Sequence, residues 1–123
     1  MAGKIIADTL ETGAGSDIAT SYVVNGSAKA WVNFDGTASG AASRDSFNVS
    51  SMTDNSTGNH TVTNTNALSD SNYSVGSSYN AGEKRAMGVQ DYTSSTHRVI
   101  VWDYVSGFSD RDTICTQIFG DLA

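Results

Sequence analysis

Apolar and polar positions alternate along most of this chain in short segments, the pattern of half-buried β-strands. In Lys29–Phe34 (KAWVNF), Ala30, Val32 and Phe34 share one face and Trp31 takes the other. In 44–51 (RDSFNVSS), Phe47 and Val49 are two apart and are expected on one face. The stretches 51–54 and 60–65 flank Asn55-Ser56-Thr57-Gly58-Asn59, which reads as a hairpin loop. In 72–79, Tyr73, Val75, Ser77 and Tyr79 alternate. Residues 85–92 and 98–104 have strand composition; the second is largely apolar on both faces, which predicts a strand covered on both sides, centrally or at a subunit interface. A last strand, 113–119, sets Ile114 and Ile118 against Cys115 and Phe119. Upstream, Ile18–Val24 alternates loosely and predicts another strand, with Asn25-Gly26 as a tight turn. No helical period of useful length occurs. About eight to ten short strands result. They imply an all-β fold, an antiparallel β-sandwich or compact barrel at 27–123, preceded by an extended N-terminal arm at 1–26.

The arm is set apart by composition. A short apolar patch holding Ile5, Ile6 and Leu10 is followed by the flexible stretch ETGAGSD. Isolated apolar residues of this kind are expected to dock on a neighbouring subunit or a larger body.

Ser, Thr, Asn and Gly make up 52 of 123 residues, and the hydrophobic fraction is only 38%. Disorder is not the reading, because only 16% of residues are charged and most of the 11 aromatics sit within alternating runs. A small core gains from burying surface between copies, so an oligomer is expected. The net charge of −6 and pI near 4.5 argue against a nucleic-acid partner, which needs a basic footprint. No apolar stretch approaches the ~18–20 residues of a membrane-spanning helix, and the first residues lack a signal-peptide pattern. The chain is expected to be made and to stay soluble in a cytoplasm. One cysteine, Cys115, precludes an intrachain disulfide and reads as a buried small hydrophobe.

Candidate chemistry is sparse. His60 and His97 lie in no zinc-ligand spacing and read as ordinary surface or strand histidines. No nucleophile elbow occurs, and the Gly-rich stretch 13–17 lacks the lysine of a phosphate loop. Asp45, Asp54, Asp91, Asp103, Asp110 and Asp112 are acidic candidates that no spacing pairs across a cleft. The sequence therefore predicts no enzyme, no metal and no cofactor. Aromatic residues remain: Trp31, Trp102, Tyr104 and Phe108 are candidates for an interface or for stacking on a glycan, with Tyr73, Tyr79 and Tyr92 beside them.

The runs AKAWVNFDGTAS and RDSFNVSSMTDNSTGNHTVTNTNALSDSNYSV, with the preceding KIIADTLETGAG and TSYVVNGSAKAW, resemble a module of small tail-fibre-type proteins of tailed bacteriophages, especially marine ones. The match spans roughly Lys4 to Val75. The resemblance implies a virion structural protein, usually a homotrimer, made in the host cytoplasm. Its partners would be copies of itself, other tail or capsid proteins and, where it contacts the host surface, a glycan. It brings no catalytic residues. The chain length suits a short tail fibre or tail tip, with a capsid decoration protein or a glycan-binding module as alternatives.

Overall fold

A computed structural model describes residue 3 and residues 6–80 and 85–123. The chain runs β1 (Thr9–Glu11), β2 (Asp17–Ala19), α1 (Thr20–Gly26), β3 (Ala30–Asp35), β4 (Ala42–Phe47), β5 (Val49–Ser56), β6 (Asn59–Asn64), β7 (Ser74–Tyr79), β8 (Arg85–Gln90), β9 (Thr96–Asp103), β10 (Gly107–Phe108) and β11 (Ile114–Phe119). Every strand pairing is antiparallel, as expected of an all-β chain joined by short turns.

Two sheets pack face to face. One has the order β4-β3-β11-β7. The other has β9 at its centre, with β8 on one flank and β6 then β5 on the other; β10 pairs the end of β9. The sheets do not close into a barrel. Alternation places the core: Val32, Phe34 and Ile114 from the first sheet meet Val62, Val99 and Val101 from the second. Ala30 and Ile118 extend the core toward Leu68 and Tyr73, under the connection between β6 and β7. Leu68 is held by its amide to Ser94 O (2.7 Å) and by a bridge to Leu122.

Two local expectations are corrected, and a third is narrowed. Of the 18–24 stretch only Ile18 and Ala19 lie in a strand, β2; Thr20–Gly26 is a helix, and Asn25-Gly26 closes that helix instead of a hairpin. No helix residue is buried, so packing imposes no apolar stripe and the stretch carries no helical period to read. Phe47 and Val49 do not share a face of one strand, because Asn48 adopts φ 56° between them. That left-handed residue carries the chain from one sheet to the other, leaving Phe47 outside and Val49 against the core. Finally, β9 is central in its sheet, but within one chain only one of its faces is covered: Val99 and Val101 are buried, whereas Trp102 is 41% exposed.

Candidate assembly surface

The N-terminal segment is built from local bonds. Leu10 and Ile18 face each other across the β1–β2 pair. Its turn is closed by Gly15 N–H to Thr12 O (2.8 Å) and Thr12 N–H to Ser16 O (2.8 Å), with Gly15 at φ +77° where a glycine is at home. Thr20 ties the strand pair to α1 by donating its N–H and hydroxyl to Asp8 O (2.9 and 3.0 Å). At the other end of α1, the buried Lys29 ammonium donates to the carbonyls of Val24 and Ser27, the latter at 2.8 Å. A cation at a helix C-terminus satisfies carbonyls that the helix leaves open. Lys29 thus clamps the segment to the start of β3.

Every residue from 6 to 18 is exposed. Among them and on α1, Ile6, Leu10, Ile18, Tyr22, Val23 and Val24 present apolar surface to solvent, Ile6 at 81%. Of the three arm residues singled out from sequence, Ile6 and Leu10 lie on this surface, and Ile5 falls outside the described residues.

The four aromatic candidates divide into two patches. On the outer face of the first sheet Trp31 stands opposite Phe47 of β4, with Phe119 exposed on β11. On the second sheet Trp102 meets Phe108 edge-on at 4.7 Å, and the β9–β10 turn beyond carries exposed Tyr104 and Val105. Tyr73 joins neither patch: it is buried and its hydroxyl donates to Thr96 O (2.8 Å). Cys115 is half-buried, because its alternation places it opposite Asn33 on the outer side of β11. The expectation of a buried thiol is corrected accordingly.

Of the two readings of the histidines, surface or strand, the strand reading holds: His60 lies in β6 and His97 in β9, both buried to 1% exposure or less. His97 Nε2 meets Thr116 Oγ1 at 3.2 Å, linking the two sheets. Burial pushes its pKa down to about 4. His60 lies against Phe34, with Asp110 at 3.6 Å from Nε2 and Asp54 at 3.8 Å from Nδ1. Neither ring nitrogen has a hydrogen bond. Burial lowers the His60 pKa; the two carboxylates oppose that shift. Sequence reasoning missed this convergence, since Asp110 comes from a loop 50 residues on; only the acid-rich stretch DRD hinted at it. The two carboxylates stand at opposite nitrogens of one buried ring. The remaining acids serve locally: Asp91 pairs with Arg98, Asp112 accepts from Asn80, and Asp103 accepts from Val105 N–H (2.8 Å). Among the described residues, no group of three or more His, Cys, Asp or Glu side chains could hold a metal ion.

The site geometry is thus one of surfaces: an apolar N-terminal segment clamped at Lys29, and two aromatic patches on the outer sheet faces. No family model, curated protein or solved structure matches the chain.

Proposed function

We propose that this chain is a non-enzymatic structural component of a symmetric assembly, a short tail-fibre or tail-tip protein of a bacteriophage virion acting as a homotrimer. The observation that carries the assembly reading is the N-terminal segment. It exposes six large apolar residues, none of which contributes to the core. Single apolar residues on a surface are ordinary; six on one segment that adds nothing to the core support a contact site. The aromatic patches support the same reading, since Trp, Tyr and Phe are enriched in contact surfaces. The assignment to a phage tail comes from the resemblance of the KAWVNF and RDSFNVSS runs.

The test is a reconstruction of the virion with this chain located in it. A few symmetric copies at the tail would support the proposal. Hundreds of copies spread over the shell would replace it with capsid decoration. A glycan array probed with the purified chain tests host-surface binding separately, with Trp102→Ala as the control for the β9–β10 patch.

A further inference from the structure

We infer that the arm of one copy, residues 6–11, docks along the β4–β5 edge of a second copy and fills the cleft beside Asn48. This rests on the assembly reading above and supplies its contact site.

The two long sides of the sandwich differ. On one, β7 and β8, the edge strands of the two sheets, lie against each other. On the other, β4 and β5 are both edge strands, and a cleft of about 270 Å³ opens between them. Ala41, Val49 and Met52 supply its apolar lining, and Ser43, Ser46 and Ser51 its polar lining. Val49 and Met52 pack on the central core yet remain only partly buried. Tyr79 of β7 and Met87 of β8 are partly buried too, but there the two edge strands lie against each other, whereas the β4–β5 side keeps an open cleft over the core. The cleft is smaller than the ~300–1,000 Å³ usual for small-molecule sites, and suits one or two apolar side chains.

The edge itself has a matching length. Register shifts at Val49/Ser51 and Asp54/Ser56 leave β5 regular over Ser51–Asp54. An unpaired edge of that extent accepts a short added strand through main-chain hydrogen bonds, with apolar side chains entering the gap beside it. Within the arm, β1 has the needed form: a three-residue strand with one free edge and Leu10 exposed, preceded by Ile6.

Donor and acceptor also lie close together at their roots. Asn48, at the cleft, donates its side-chain amide to Lys29 O (3.0 Å), and Lys29 clamps the arm. The hairpin and the Thr20–Asp8 bonds hold β1 away from its own chain's cleft: Leu10 stays exposed and no residue of 6–11 lines that cleft, so the occupant is taken from a second copy. A head-to-tail contact of this type closes into a ring where its rotation closes, and a one-third turn gives the trimer.

The test uses the full chain with Cys115→Ser as background and the pair Leu10→Cys and Ser51→Cys, oxidised mildly and resolved on a non-reducing gel. Disulfide-linked multimers from the double variant are expected. Mixing the two single-cysteine chains should yield mixed linked dimers. A bond formed only within one chain overturns the inference. So does the absence of any bond while light scattering still shows an oligomer, a result that leaves the assembly reading standing. A monomer by light scattering in the unmodified chain removes both. As a second arm, Ser43→Trp, which fills the cleft, should weaken self-association by about tenfold or more; unchanged association overturns the inference.

Discussion

The buried histidines set how the protein responds to acid. The pKa of His97 is about 4 in the folded chain against an ordinary 6.5. Between these values the unfolded chain binds a proton that the folded chain refuses. Stability is therefore full above pH 6.5 and is lost as the pH falls toward 4, by about 3 kcal/mol in all. His60 is shifted the same way and adds to the loss. Urea titrations at several pH values should show a decline through this window, and His97→Gln should flatten it; parallel slopes for the two proteins would reject the assignment. Gly58 is a second sensitive residue. It sits at φ +65°, and an added Cβ would lie 2.5 Å from both Ser109 N and Val101 O. Gly58→Ala should cost roughly 2 kcal/mol or more in the same measurement.

At the scale of elements, the regular alternation was legible wherever one face meets the core. Ala30, Val32 and Phe34 of β3 are all buried inward, as are Ile114 and Ile118 of β11. The hairpin between β5 and β6 was legible from its turn residues. What escaped had no core-facing pattern to betray it. Helix α1 buries nothing, and the alternation of Phe47 and Val49 conceals the turn at Asn48 between them. A positive φ at a residue other than glycine leaves no periodic trace. Of the candidate surface, Ile6, Leu10, Trp31, Trp102, Tyr104 and Phe108 were legible as large apolar residues outside the core pattern. The approach of Asp54 and Asp110 to His60 was not, since it depends on a loop meeting a distant hairpin. Asn48 joins these levels, because its side chain accepts from Asn66 N–H (2.8 Å) and donates to Lys29 O (3.0 Å). Asn48→Ala should destabilise by about 1–3 kcal/mol in thermal or urea unfolding, through lost hydrogen bonds and a strained φ. Asn48→Gly, which tolerates the φ, should lose less.

For the whole molecule, the sandwich body and the N-terminal segment are separable. The core is formed by β3, β6, β9 and β11, while residues 6–18 contribute no buried residue. Deleting residues 1–12 should abolish self-association and leave a folded monomeric sandwich, its unfolding temperature lowered only by the lost contacts between copies. The central claim, that this chain works as an assembly of copies, is tested most directly by sedimentation velocity on the full chain at micromolar concentration. The account expects one species with the mass of three 12.9 kDa chains; a stable monomer throughout that range would contradict it.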